Sequence, residues 1–190
     1  MGELPMIENS ITQTKVCHVT SAHPRYDVRI FHKECKSLVN NGFDVTLLVN
    51  DNLPNEAIGG IKIVSTQQKP KNRYERMVKS KKKIKKLMLE VNADIYHFHD
   101  PELLPEANWI KNNGKKVIFD FHEDVSQQIM FKKWIPQQIR QIVSYLYRIY
   151  EKNKAKRFDA LITVTPKFVE RLKKINTNTV MITNYPILKE

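Results

Sequence analysis

Seven short apolar runs, at residues 15–20, 43–49, 61–64, 94–98, 116–121, 159–164 and 180–183, alternate along this chain with longer helix-like stretches. Val, Ile, Phe and Thr, which suit a pleated surface, fill the runs. Residues 29–40, 73–92, 101–112, 136–156 and 166–174 read as helices. Phe31, Cys35, Leu38 and Val39 share a face in the first of these. Met77, Ile84, Met88 and Val91 do so in the second, as do Ile139, Ile142, Val143, Leu146, Ile149 and Tyr150 in the fourth. Asn41-Gly42 and Gly114 mark helix ends, and Pro166 suits a first helical turn. Strands separated by helices pair in parallel, and the constant hand of the crossover covers both faces. The pattern predicts one doubly wound α/β domain over residues 15–186, with six or seven mainly parallel strands and a loose lead at residues 1–14.

Three runs end in polar loops. Residues 16–20 lead into Ser21-Ala22-His23-Pro24-Arg25, residues 94–98 into His99-Asp100-Pro101-Glu102, and residues 116–121 into His122-Glu123-Asp124. Ligands of an open parallel sheet bind outside the carboxyl ends of its strands, because each strand delivers its following loop to that edge. Three His/Asp/Glu loops at one edge predict a polar cleft. His122 ends its strand beside two carboxylates, where an imidazole can bind a hydroxyl or phosphate or move a proton; the alternative is a packed, capped histidine. His97 and His99, two apart on a strand, share a face. They read either as core histidines or as part of a metal set, but no further cluster with ligand spacing is apparent, and no metal is expected. Asp100 is expected to cap the helix that starts at Pro101. Asp27 and Arg29, at the entry to the first helix, read as an anion site or as a local pair.

The net charge of +12 calls for an anionic partner: nucleic acid, a membrane face or a phosphorylated substrate. Lys79, Lys81, Lys82, Lys83, Lys85 and Lys86 lie opposite the apolar stripe of their helix, as a solvated face or a membrane surface. That segment lacks the interleaved aromatics of a base-stacking surface, so no nucleic-acid partner is expected. Phe131 and Trp134, within Met130-Phe131-Lys132-Lys133-Trp134-Ile135, form a second candidate lipid surface, the alternative being a loop packed on the long helix. The two cysteines, Cys17 and Cys35, read as buried thiols of a reducing compartment. With no run near the about 18 apolar residues of a membrane span and no signal-peptide core, a cytoplasmic location is expected, peripheral on the inner membrane face. None of the five glycines lies in the first strand-to-helix turn, so both the G-x-G-x-x-G fingerprint and the P-loop are missing.

The stretch Ser21-Ala22-His23-Pro24-Arg25-Tyr26-Asp27-Val28-Arg29-Ile30-Phe31, then Lys36-Ser37-Leu38, Asn41-Gly42-Phe43-Asp44-Val45, residues 93–104, 119–124 and 158–166, and the closing Asn184-Tyr185-Pro186 together resemble the N-terminal domain of family-4 glycosyltransferases of GT-B architecture. The resemblance implies a Rossmann-like half of a two-domain enzyme whose halves face across a cleft. The N-terminal half of such enzymes mainly binds the acceptor, and the C-terminal half mainly binds the nucleotide sugar. Transfer is expected to retain configuration without metal or cofactor, the nucleotide sugar being a co-substrate. By resemblance His122 would be the catalytic histidine that contacts the transferred sugar. His23, Arg25, Asp27, Arg29, His99, Asp100, Glu102, Glu123 and Asp124 would bind substrate. Glycines that some members carry in the first loop are absent here. Residues 187–190 read as the start of an interdomain linker, with the donor-binding domain expected in cis or as a partner chain. The expected acceptor is a membrane-linked polysaccharide or glycolipid precursor. The alternative is a non-catalytic recruiting subunit that completes a partner's active site. On either reading these residues alone are expected to be inactive.

Overall fold

The computed structural model describes residues 13–68 and 70–186, apart from the side chains of Arg73, Met77 and Lys79. Most of the expected lead (residues 1–12), the linker reading of residues 187–190, and the side-chain roles expected of Met77 and Lys79 lie outside the described residues. Eight strands form one sheet: β1 (Lys15–Val19), β2 (Asp44–Val49), β3 (Glu56–Ile58), β4 (Ile61–Ser65), β5 (Ile95–Phe98), β6 (Lys116–Phe121), β7 (Ala160–Thr163) and β8 (Thr179–Met181). Their order is β3-β4-β2-β1-β5-β6-β7-β8, and every pair but β3–β4 is parallel. The fold is the predicted α/β, Rossmann-like one.

Seven of the strands coincide with the apolar runs. β3 does not, because three residues leave no alternation to read. It turns into β4 through Gly59 and Gly60, whose φ values of 56° and 78° make the mirror-image turn of a tight hairpin. From β1 the chain builds outward through β2 and β4; from β5 it builds the other way, through β6, β7 and β8. The order therefore reverses between β1 and β5. At such a switch point the connections diverge to opposite faces and leave a crevice above the carboxyl ends.

Helices cover both faces. One core layer joins Cys17, Val19, Phe98, Phe119 and Phe121 to Ile84 and Met88 of α2 (Arg73–Val91) and to Leu104, Ala107 and Ile110 of α3 (Leu104–Asn112). The other sets Val45, Leu47, Ile61 and Ile63 against Ile30, Phe31 and Cys35. Those three belong to a π-helical stretch, Ile30–Cys35, that runs into α1 (Lys36–Asn40). The wide turn shows in bonds five residues long, His32 N–H to the Asp27 carbonyl at 3.2 Å and Glu34 N–H to the Arg29 carbonyl at 3.0 Å. Such bulges re-aim side chains, and here Glu34 is carried toward the sheet.

Two helical features differ from expectation. A short helix, α4 (Val125–Phe131), follows Asp124, which caps it by accepting from Gln127 N–H at 3.1 Å. The long helix forms as α5 (Arg140–Ala155), after a single 3-10 turn at Gln137–Ile139. Its apolar stripe does not join the core: Ile142 is 59% exposed and Leu146 58%, and the neighbouring Tyr145 is 65% exposed. α5 is held instead by buried Glu151 and Ala155 and by α4, where the Ser144 hydroxyl donates to the Ser126 carbonyl at 2.6 Å. α6 (Pro166–Lys173) completes the layers.

Candidate functional site

At the switch point the loop leaving β1 closes around Asp100, at the end of β5. One oxygen, Oδ2, accepts the Thr20 hydroxyl at 2.8 Å, the Ser21 N–H at 2.7 Å and the Ala22 N–H at 3.3 Å. Asp100 makes no capping bond to the helix at Pro101, contrary to the expectation from sequence. The donors of the β1 loop claim its carboxylate instead. Glu102 extends the tie, accepting the Ser21 hydroxyl at 2.8 Å and Arg76 of α2 through both oxygens at 2.6 and 3.1 Å. These bonds fix where His23 can sit. Its Nδ1 lies 3.4 Å from Asp27 and its Nε2 lies 3.5 Å from the free oxygen of Asp100.

His122 follows β6 and faces His23 across this crevice. Its ring stacks on that of His99 with centroids 5.7 Å apart and meets His23 edge-on at 5.8 Å. Nδ1 lies 3.5 Å from Asp120, while Nε2 is buried and has no hydrogen-bond partner among the described residues. Burial holds the His122 pKa below the ordinary value, with Asp120 opposing. The imidazole is thus neutral at pH 7 and able either to accept or to donate.

Beneath His122 lies a polar layer that the loops alone did not announce. Asp120, fully buried on β6, accepts Arg29 Nη2 at 2.7 Å, and Arg29 Nε stands 3.0 Å from Glu34. Burial, with Asp120 adding to it, pushes the Glu34 carboxyl up to about 8. His18, His97 and His99 complete the layer, and one ligating atom from each of them and from Glu34 lies within 4.8 Å of the others.

A cleft of about 460 Å³ opens above, and His23, His99, Asp100, Glu102, His122 and Glu123 all line it. Four other expected binding residues do not. Arg25 is buried and committed to Asp51, at 2.8 Å through two bonds, and to Glu56, so it tethers the hairpin of β3 and β4. Asp27 spends one oxygen on the Arg29 and Ile30 N–H groups, capping the helix start that would otherwise receive an anion. Arg29 is turned into the interior. Asp124 caps α4 and faces a neighbouring hollow with Arg171.

The lysine run is divided. Lys81 enters the cleft wall 3.8 Å from buried Glu106, Lys85 lies over the Trp109 ring at 5.2 Å, and Lys86 pairs with Glu90 at 3.6 Å. Lys82 is exposed, and Lys83 is half-buried. Phe131 and Trp134 are both exposed, 80% and 74%. The cleft also gains Arg76, Lys132, Tyr147 and Tyr150, none of them expected from sequence to bind substrate. Arg76 precedes the lysine run on an already basic helix, Tyr150 reads as part of the apolar face of α5, and Tyr147 lies outside that face with nothing in its neighbours to mark it.

The model of a family described as Glycosyltransferase Family 4 matches residues 28–184. No curated protein sequence matches. Among solved structures the chain is similar to sucrose-phosphate synthase from Thermosynechococcus elongatus, at 13% identity and a TM-score of 0.64 over 90% of this chain and 48% of that one. It is similar to TcCGT1 in complex with UDP, at 13% identity and a TM-score of 0.59 over 94% and 53% of the two chains. A third likeness is to UDP-GlcNAc 2-epimerase from Methanocaldococcus jannaschii, at 13% identity and a TM-score of 0.54 over 88% and 45%. At these identities the likeness is one of fold, and the chain spans about half the length of each of these structures.

Proposed function

Because the chain belongs to glycosyltransferase family 4, we propose that these residues form the acceptor-side half of a glycosyltransferase. It moves a sugar from a nucleotide sugar onto a membrane-linked polysaccharide or glycolipid precursor. The observation that carries this reading is the switch-point cleft, where the His122 ring stands on the wall and its Nε2, buried in this structure, has no hydrogen-bond partner among the described residues. A neutral imidazole there can hydrogen-bond a hydroxyl of the transferred sugar as charge develops on the ring. Lys132 brings a positive charge to the wall, suited to the phosphate of a lipid-linked acceptor. The donor-binding half would close the cleft from the opposite side, in cis or as a partner chain. Transfer with retention and without a metal in the sugar-transfer step is part of the proposal.

The membrane reading rests on the exposed side chains of α5, of the end of α4 and of the loop between them. Ile142, Tyr145, Leu146, Phe131 and Trp134 are exposed, and the chain carries a net charge of +12. Apolar side chains entering the lipid boundary, with basic residues drawn to anionic headgroups, hold a protein on a surface without spanning it. No described helix is long and apolar enough to cross a membrane. The proposed location is the cytoplasmic face of an anionic membrane. The test is to incubate the complete two-domain enzyme with labelled nucleotide sugars and a membrane lipid extract. Label should enter the lipid phase with wild-type enzyme and not with His122→Ala. Release of free sugar, or epimerisation of the donor without transfer, would overturn the proposal.

A further inference from the structure

We propose that His18, His97, His99 and Glu34 bind one divalent metal ion of the zinc class beneath the floor of the cleft. His18 on β1 stands in register with His97 on β5, and His99 follows two residues later on the same face. The π-helical stretch brings Glu34 over them from above. Three imidazoles and one carboxylate thus converge from two strands and the element that covers them. His18 and Glu34 are far from the His97–His99 pair in sequence, which is why ligand spacing did not reveal the set.

The distances suit a small tetrahedral ion. His18 Nδ1 and His99 Nε2 are 2.9 Å apart. Glu34 Oε2 lies 3.8 Å from the first and 3.7 Å from the second. Bonds of about 2.0–2.1 Å in tetrahedral geometry separate ligand atoms by about 3.3–3.4 Å, a value these three separations bracket. His97 supplies a fourth ligand atom in the same group. Borderline nitrogen donors with a single carboxylate select zinc-like ions over magnesium or calcium, which prefer all-oxygen shells.

Hydrogen bonding among these side chains accounts for one contact only, between His18 Nδ1 and His99 Nε2. His18 Nε2, His97 Nε2, His99 Nδ1 and both oxygens of Glu34 are buried without a hydrogen-bond partner. Arg29 stands against both carboxylates, Glu34 and Asp120, which leaves Glu34 Oε2 free to face an ion. Charged groups stand nearby that a small shift would make outer partners, Arg29 3.0 Å from the other Glu34 oxygen and Asp120 3.9 Å from His99 Nδ1, beyond hydrogen-bond length. Carboxylates behind ligating histidines orient the ring and strengthen the bond. A second candidate group, His99 with Asp120 and His122, shares His99 and uses the cleft-facing His122; the four-residue set has more donors and is more deeply buried. The ion would position residues rather than react, pinning β1, β5 and the π-helical turn behind the ring on which His122 stacks.

The test uses the purified 190-residue chain and needs no transfer activity, so it is independent of the proposed function. Chain stripped with a chelator should bind one equivalent of Co2+, with the intense visible band of a tetrahedral site. Added Zn2+ should displace that band and raise the melting temperature. Glu34→Gln, of nearly unchanged volume, should weaken Zn2+ binding by more than the about 10–100-fold lost with an outer partner. His97→Asn provides a second probe, with folding of both variants checked by circular dichroism. The wild-type titration keeps the test decisive if both variants unfold. Absence of a tetrahedral band and of any zinc-dependent shift in the wild-type chain overturns the proposal. So does a band that survives in folded Glu34→Gln and His97→Asn, which would place the ion elsewhere.

Discussion

Replacing Asp100 with alanine removes the acceptor on which the β1 loop closes. Two buried donors lose it, the Thr20 hydroxyl at 2.8 Å and the Ser21 N–H at 2.7 Å. Ala22 N–H, at 3.3 Å, belongs to an exposed residue, where water can take over. A buried donor left unsatisfied costs about 1–3 kcal/mol, so the pair sets a range of about 2–6 kcal/mol. The Thr20 hydroxyl can rotate toward another acceptor, which places the expected loss near about 3 kcal/mol. In a domain of this size that corresponds to about 6–12 °C in melting temperature. Asp100→Asn keeps an acceptor oxygen in the same place but loses the charge that roughly doubles such bonds. It should cost about half as much. Urea and thermal unfolding of the purified chain at pH 7, with wild type and both variants in parallel, measures the series. If Asp100→Ala melts within about 2 °C of wild type, or if Asp100→Asn falls as far as Asp100→Ala, the loop is not held by this acceptor and the reasoning fails.

His122→Ala in the complete two-domain enzyme should lower turnover about 30- to 1000-fold, from about 2–4 kcal/mol of lost transition-state stabilisation. Near-native turnover, or simple unfolding, would make His122 a structural residue. Ile142→Glu or Leu146→Glu should weaken binding to anionic vesicles about tenfold each, since burying such a side chain is worth about 1.5 kcal/mol. Sedimentation unchanged by either variant and insensitive to salt would refute the membrane-facing assignment of α5. Burial raises the Asp51 carboxyl, but the Arg25, Ser65 and Leu53 donors outweigh it and hold the pKa below the ordinary value. The folded pKa is depressed, so this stabilisation is present above the unfolded value of about 3.9 and is lost as pH falls through the folded one. The gap in melting temperature between wild type and Asp51→Asn should therefore narrow from pH 6 toward about pH 3, and a gap independent of pH would contradict the Arg25 pairing. Finally, the purified 190-residue chain should transfer no sugar by itself, since one wall of a cleft cannot hold both reactants in line; turnover of any nucleotide sugar would show otherwise.

By itself, the sequence determined the fold class and the edge at which to look. Strand–helix alternation is a local property, legible wherever a run is long enough to show a period. The ends of β1, β5 and β6 were legible for the same reason: largely apolar runs give way abruptly to clusters holding His, Asp and Glu. β3 and α4 were too short to show any period. For α5 the period was visible but its direction was not, because an amphipathic pattern says that one face is apolar and not what covers it. The polar floor of the cleft was decided only by the tertiary structure. Arg29 meets Asp120 across 91 residues and His18 meets His99 across 81, and no neighbouring residue hints at either contact. Periodicity is set by the stiffness of the local chain, whereas the fate of a buried charge depends on which distant segment comes to rest against it.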